Sequence, residues 1–154
     1  MRKIVLTRRV AVPPRDVFVF FVPQRMPYWY GPEMRASFET QGCGSEFRAG
    51  STVRISATMA NKTFSHSAVV TAFDRGRIFE WQFEDSYGVR GKERWELQPV
   101  ENGAGAQTII RFTNEYEVPG LIGRALDWLV TRHALARRNR EYLDRLARLA
   151  ERRP

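Results

Sequence analysis

Several polar side chains fall where the sequence pattern predicts a buried face. In residues 89–98 apolar and charged residues alternate, and Glu93 shares one face with Trp95 and Leu97. Alternation or helical spacing places four further polar residues on apolar faces, so that the full set is Arg8, His66, Glu93, Asn114 and His133. A polar group without a partner is costly to bury. Each is therefore expected to contact another member of the set, a bound molecule or water.

Two members of this set could transfer protons. The carboxyl group of Glu93 and the imidazole of His133 form a candidate acid–base pair, and one such pair in a shaped pocket suffices for ring closure by aldol chemistry or for loss of water. The alternative is that the alternation slips by one residue, so that these side chains meet solvent. We favour that alternative for Arg8 and His66, and both interpretations stay open for Glu93, Asn114 and His133.

Other kinds of chemistry find little support in the sequence. The two histidines, His66 and His133, are far apart, and Cys43 is the single cysteine, so no metal-ligand spacing is present. The glycine-rich stretch GCGSEFRAG lies between two predicted strands, which indicates a turn and not a phosphate-binding loop. No serine lies in a nucleophile-elbow motif. We therefore expect neither a metal nor a cofactor.

The elements that must position these residues are mostly strands. Seven segments carry strand-like patterns, and turn signals such as Asn61-Lys62 separate them. The predicted strands are 4–12, 34–41, 52–60, 63–73, 78–84, 89–98 and 107–118. A short helix is predicted at 15–22, one or two helical turns at 26–31, and one long helix at 121–152.

These elements predict a fold of the α+β class. At 154 residues the chain is expected to form a single domain spanning residues 1–154. Hairpin-spaced strands with one apolar and one polar face predict an antiparallel sheet that is wet on one side. The C-terminal helix, with apolar residues at helical spacing, is the candidate cover for the dry side. One helix covers a curled sheet incompletely, so we expect a gap between them.

The segment MPYWYGP at 26–32 places Tyr28, Trp29 and Tyr30 side by side next to two prolines. Amphipathic aromatic side chains suit the rim of a cavity, where one side is apolar and the other is wet. The alternative is that they seal one end of the core. The sequence leaves these two interpretations open.

The order of these segments resembles the START-like (SRPBCC) superfamily. The resemblance rests on VAVPPRDVFVFFV, then MPYWYG, then FEWQFED and GKERWELQP, and finally YEVPGLIGRALDWLVTRHALARRNREYLDRLARLAE. Within the superfamily the chain is similar to the bacterial polyketide cyclase/dehydrase-type branch, and the resemblance spans essentially the whole chain. It implies a helix-grip fold: a curved seven-stranded antiparallel sheet around the long C-terminal helix, with two short helices after the first strand.

The resemblance also implies a cavity between the sheet and the C-terminal helix that holds a small hydrophobic ligand, such as a lipid or a polyketide. We expect ligand binding as the function, and cyclisation or dehydration of a polyketide in the same cavity as the alternative. The expected lining is Trp29, Phe38, Ile55, Met59, Trp81, Phe83, Trp95, Phe112, Tyr116, Leu126 and Leu129, with Glu93, Asn114 and His133 as polar contacts.

The charge offers a third function. The net charge is +8, and from Arg124 onward nine arginines face four acidic residues. A basic helix attracts anionic membranes or nucleic acid, although a solvated helix face is the commoner explanation of such a run. Nucleic acid is disfavoured because the aromatic residues mostly share faces with aliphatic residues, not with arginines. The sequence does not predict an oligomeric state.

The compartment is predicted from what the sequence lacks. A single cysteine cannot form an internal disulfide, which fits a reducing environment. The first residues carry only a three-residue apolar run, too short for a signal peptide, and no long apolar run predicts a membrane span. We therefore expect a cytoplasmic protein.

Overall fold

The computed structural model describes residues 1–32, 35–41, 46–59, 61–85, 88–102, 105–126 and 132–152. The side chains of residues 59, 64, 102, 122, 124 and 126 lie outside this description. Seven antiparallel strands form one sheet in the order β1-β7-β6-β5-β4-β3-β2. They are β1 (Arg2–Val10), β2 (Ser37–Gln41), β3 (Thr52–Met59), β4 (Lys62–Asp74), β5 (Ile78–Glu84), β6 (Arg90–Asn102) and β7 (Gly105–Glu117).

The seven predicted strands are confirmed, with different ends. β2 begins at Ser37 and not at residue 34, because Arg35 has a φ of 48°, in the left-handed region that a strand does not contain. β6 runs on through Pro99 to Asn102. Pro99 is tolerated because the pairing of β6 with β5 ends at Glu96, so the missing N–H interrupts no ladder on that side.

The inner face of the sheet follows the predicted alternation. Phe79, Trp81, Trp95, Ile110 and Phe112 are all buried. A bulge in β4 shifts the register between Val70 and Ala72, and the hydroxyl of Thr71 there donates to the carboxylate of Glu80 at 2.7 Å.

The short helical segments differ from the prediction. α1 spans Pro14–Phe18, where residues 15–22 were expected, and a 3-10 turn follows at Met26–Tyr28. Val17, Phe18, Phe20 and Phe21 are all buried. After Phe18 the backbone continues in tighter turns, in which Phe20 N–H donates to the carbonyl of Val17 and Phe21 N–H to that of Phe18.

The C-terminal region contains α2 (Leu121–Leu126) and α3 (Arg132–Arg152). Residues 127–131 lie outside the described residues, so the prediction of one continuous helix is not tested there. α3 buries one face, formed by Asn139, Tyr142, Leu143, Leu146, Ala147 and Ala150. Its arginines at 137, 138, 140, 148 and 152 lie outside this buried set. In the described part of the chain, no helix is both long enough and apolar enough to cross a membrane.

Candidate functional site

The centre of the inner sheet face carries polar groups within an aromatic surface. Strand register sets Glu93 of β6 directly between Trp81 of β5 and Asn114 of β7. Trp95 lies two residues further along β6 on the same face. All four side chains are buried, with 4% of Glu93 exposed and at most 1% of the others. With Tyr30, which reaches them from above the sheet, they form what we call the interior polar patch.

Tyr30 joins the patch because the segment 26–32 is anchored on either side of it. Met26 and Trp29 are fully buried, and the indole N–H of Trp29 donates to the carbonyl of Phe20 at 3.0 Å. Gly31 follows with a φ of 68°, a conformation that glycine adopts without strain. The half-buried Tyr30 then donates its hydroxyl to Glu93, 2.8 Å from Oε1 and 3.1 Å from Oε2.

Burial controls the protonation of this pair. Loss of solvent raises the pKa of Glu93 to about 7, although the Tyr30 hydroxyl and the nearby Trp81 indole favour the charged form. Burial, and then the charge of Glu93, raise the pKa of Tyr30 well above its usual value. Tyr30 therefore stays a hydrogen-bond donor, while Glu93 exchanges its proton near neutral pH.

Three atoms of the patch are buried without a hydrogen-bond partner among the described residues: Trp81 Nε1, Trp95 Nε1 and Asn114 Oδ1. The indole of Trp81 influences the charge of Glu93 but makes no hydrogen bond of normal geometry. Asn114 uses its other end, because Nδ2 donates to Oδ1 of Asn139 on α3 at 3.1 Å. The patch thus offers two N–H donors, one carbonyl acceptor and one carboxyl group.

Tyr30→Phe tests the electrostatics of this pair. We expect a loss of unfolding free energy of about 1 kcal/mol at pH 5 and up to about 3 kcal/mol at pH 9, because a hydrogen bond to a charged group is worth more than one to a neutral group. Urea unfolding at both pH values measures the two losses. Tyr28→Phe, at an exposed tyrosine of the same segment, is the control and should change neither value. Equal losses at both pH values would contradict a charged Glu93 at pH 9.

Most of the expected lining residues are buried on the inner face. Trp29, Phe38, Ile55, Trp81, Trp95, Phe112, Asn114 and Tyr116 are at most 7% exposed, and Phe83 is half-buried. The aromatic rings contact one another, with centroids 5.8 Å apart for Trp29 and Trp95 and 4.9 Å for Trp95 and Phe112. The described side chains therefore fill much of this interior themselves. Leu129 lies outside the described residues, as do the side chains of Met59 and Leu126.

Of the two interpretations left open for His133, the structure agrees with the solvent-facing one. His133 is exposed on α3, because at 3.6 residues per turn it lies about 180° around the helix from the buried Tyr142. It therefore cannot pair with the buried Glu93. Arg8 is also exposed, as we favoured, and lies 3.6 Å from Asp144 of α3.

His66 is half-buried and not solvated as we favoured, with its ring centroid 6.4 Å from that of Phe83. Burial lowers the pKa of His66.

Sequence reasoning singled out Tyr30 as an aromatic residue of the 26–32 segment but missed its contact with Glu93, and it missed Asn139 altogether. Helical spacing could have revealed Asn139, which lies four residues before Leu143 and seven before Leu146 on the buried stripe. No sequence signal connects residue 30 with residue 93. The described residues contain no group of three or more His, Cys, Asp or Glu side chains that could hold a metal ion.

A groove of about 720 Å³ lies elsewhere, between α1 and the turn that joins β4 to β5. None of the expected lining residues borders it. This groove is thus separate from the interior polar patch.

Comparison with solved structures supports the fold. Protein CV1439 from Chromobacterium violaceum is 17% identical, with a TM-score of 0.71 over 99% of this chain and 100% of that one. Truncated norcoclaurine synthase from Thalictrum flavum is 15% identical, with a TM-score of 0.67 over 99% and 95% of the two chains. Protein TTHA0849 from Thermus thermophilus is 15% identical, with a TM-score of 0.65 over 97% of each chain.

Comparison of the sequence with curated proteins gives no significant match. A family model does match, over residues 1–151, and its description is "Polyketide cyclase / dehydrase and lipid transport". The sheet and C-terminal helix described above are those of a helix-grip fold. With the match covering almost the whole chain, this protein belongs to the polyketide cyclase/dehydrase and lipid-transport family within the START-like superfamily.

Proposed function

We propose that this chain binds a small hydrophobic molecule that carries a polar group, and that the interior polar patch holds that group. The observation behind the proposal is the set of partnerless buried atoms among the described residues, Trp81 Nε1, Trp95 Nε1 and Asn114 Oδ1. Each such atom costs about 1–3 kcal/mol of stability, and a ligand that meets them recovers part of that cost. Membership of a lipid-transport and cyclase family supports the same proposal.

The patch selects the chemistry of the ligand. Two indole N–H groups suit a carbonyl oxygen, and Asn114 Oδ1 suits a hydroxyl. Glu93 donates when protonated and accepts when ionised, and its pKa of about 7 makes both forms available. A ketone or enol on an aromatic or alicyclic skeleton matches these groups, since the surrounding side chains include Phe38 and Phe112.

Access to the patch is proposed to involve Tyr30. This side chain is half-buried above the buried Glu93 and lies against Tyr142 of α3, with ring centroids 4.5 Å apart. Because Glu93 is only 4% exposed and aromatic rings surround it, a ligand reaches it only if a side chain moves. Tyr30 is held by a turn and not by a strand, so it moves at lower cost than Trp81 or Trp95.

A neutral naphthalene ketone dye, prodan, tests the proposal. We expect saturable binding with a blue-shifted emission, and shifts of the Trp81 and Trp95 indole N–H signals in ¹H–¹⁵N spectra. The indole of Trp29 is the internal control, since it already donates to Phe20 and should shift least. Binding that leaves both patch indoles unchanged, or no binding up to the solubility of the dye, would reject the interior site. Native mass spectrometry of fresh protein would show whether an apolar molecule copurifies.

A second candidate function is acid–base catalysis on such a ketone, as in a cyclase or dehydratase. The observation that favours it is a buried carboxyl group, Glu93, with a pKa of about 7 beside the hydroxyl of Tyr30. A group with a pKa near the working pH transfers protons well, and positioned groups of this kind contribute about 10²–10⁴-fold to rates.

Removal of a proton next to a ketone, the step shared by aldol ring closure and dehydration, can be measured directly. In D₂O, 2-tetralone should exchange its α-protons faster with the protein than without it. Glu93→Gln should lower the added rate at least about tenfold while prodan binding persists. Equal exchange rates for both proteins would exclude Glu93 as the base and leave the binding proposal intact.

A further inference from the structure

The groove beside α1 has the size and lining of a binding site. Its volume of about 720 Å³ falls in the range of about 300–1,000 Å³ that is typical of small-molecule pockets. Phe18, Phe21, Val22, Phe47 and Phe73 contribute its apolar wall. The ring centroid of Phe73 lies 5.5 Å from that of Phe18, which joins the wall to the hydrophobic core.

Three arginines border this apolar wall, and two of them are already compensated. Arg75 forms an ion pair with Glu46 at 3.0 Å, and both side chains line the groove. Arg15 lies 3.9 Å from Asp16, its neighbour in α1. Within each exposed pair the two opposite charges compensate each other, so neither arginine requires a ligand to balance its charge.

Arg25 is different. In the described part of the chain it has no acidic partner; its Nη1 donates to the carbonyl of Val19 at 3.3 Å, and its guanidinium lies 5.9 Å from the ring centroid of Phe20. The guanidinium is therefore held in place at the edge of an apolar groove, with donors remaining for an anion. When the two compensated pairs are counted as neutral, one positive charge in the described lining of the groove remains unbalanced, that of Arg25.

We propose that this groove is a second binding site, which takes a molecule with an apolar chain and a single carboxylate. The chain lies along the Phe18 and Phe73 wall, and the carboxylate accepts hydrogen bonds from Arg25. A guanidinium and a carboxylate match in charge and planar geometry, and partial removal from water strengthens their attraction. A neutral amphiphile can contact the apolar wall but forms no ion pair with Arg25. This inference is independent of the interior polar patch, because none of the patch residues lines the groove.

Decanoate and its methyl ester are the matched probes, since they share the chain and differ in charge. We expect decanoate to bind at least about tenfold more tightly than the ester at pH 7.5, a difference of about 1.4 kcal/mol. Titration calorimetry gives both affinities. In ¹H–¹⁵N spectra decanoate should shift the amides of Val22 and Gly76, which line the groove, more than the indoles of Trp81 and Trp95.

Arg25→Gln should remove the preference for decanoate and leave binding of the ester unchanged. Arg90→Gln is the control, because Arg90 is an arginine on β6 outside the groove, paired with Glu84 at 3.4 Å. Arg25→Lys should give an intermediate affinity, since lysine keeps the charge but loses the planar donor pair. Unchanged amide spectra elsewhere in each variant exclude misfolding as the cause.

Three results would overturn the proposal: equal affinity for acid and ester, an Arg25→Gln variant that keeps the preference, or shifts confined to the patch indoles. Failure of decanoate to bind would overturn it as well. The prodan experiment reports separately on the interior site through Trp81 and Trp95. Decanoate in the groove with no prodan effect on those indoles would reject the proposed function and support this second site.

Discussion

Glu93→Gln is expected to stabilise the protein by about 3 kcal/mol at pH 8 and by less than about 1 kcal/mol at pH 5. Glu93 is 4% exposed, so its charged form is poorly solvated and its pKa rises from 4.5 to about 7 on folding. Glutamine keeps nearly the same shape and can still accept the hydroxyl hydrogen bond of Tyr30. It carries no charge at any pH.

The sign of the effect follows from proton linkage. Between pH 4.5 and 7 the folded chain holds a proton on Glu93 that the unfolded chain has released, so rising pH favours unfolding over this interval. The free energy of unfolding is not reduced by Glu93 below pH 4.5, where the side chain is protonated in both states. It falls as pH rises from there through 7. Each unit of pKa shift corresponds to about 1.4 kcal/mol, which sets the size of the gain at pH 8.

Urea unfolding at half-unit steps from pH 5 to pH 9 would measure this gain as the difference between variant and parent. A gain of about 3 kcal/mol corresponds to a rise of roughly 6–12 °C in melting temperature for a chain of this size. A difference that stays flat across the series would show that Glu93 titrates normally. That result would also remove the main argument for Glu93 as a general base.

Glu80 supplies a control with the opposite expectation. Burial alone would raise the pKa of Glu80, but hydrogen bonds from Thr71 and Arg94 and the nearby charge of Lys92 outweigh it, so the pKa is lowered. The charged form is thus the one that folding favours. Glu80→Gln should destabilise the protein near neutral pH, and the loss should shrink as pH falls through the lowered pKa.

The alternation of apolar and polar residues was sufficient to predict the fold because one face of the sheet is exposed to solvent. The alternation assigned Glu93, Trp95 and Leu97 to one face, and the structure buries that face, since the other register would bury arginine and lysine. The bulge at Thr71 leaves this register intact in β5 and β6, where the patch lies. Local chemistry therefore determines which side chains face inward.

The site was less accessible to sequence reasoning because its contacts are long-range. The hydrogen bond between Tyr30 and Glu93 spans 63 positions, and the one between Asn114 and Asn139 spans 25. Periodicity assigns a face to each residue but does not say which residues meet across the core. His133 shows the same limit on a helix. Successive residues lie about 100° apart around the helix axis, so a small error in placing the apolar stripe moves a residue from the buried face to solvent.

Trp29→Ala is expected to cost about 3–5 kcal/mol of unfolding free energy at any pH between 6 and 8, whereas Tyr28→Ala should change it by less than about 0.5 kcal/mol. The two aromatic residues are adjacent in MPYWYGP, yet Trp29 is fully buried and Tyr28 is 67% exposed. Trp29 contacts the rings of Phe21, Tyr30 and Trp95, with centroids between 5.1 and 5.8 Å away. Removing it opens a cavity beside the patch.

Trp29→Phe separates the contribution of the buried ring from the contribution of the indole N–H hydrogen bond. The phenyl ring fills part of the space, but the carbonyl of Phe20 loses its donor, so we expect a cost of about 1–2 kcal/mol beyond the effect of the smaller ring. Urea unfolding of the three variants measures all of these costs on one scale. Equal small losses for Trp29→Ala and Tyr28→Ala would mean that the segment lies on the surface as a rim. The expected order, with Trp29→Ala far the most damaging, identifies Trp29 as the anchor that holds Tyr30 over Glu93.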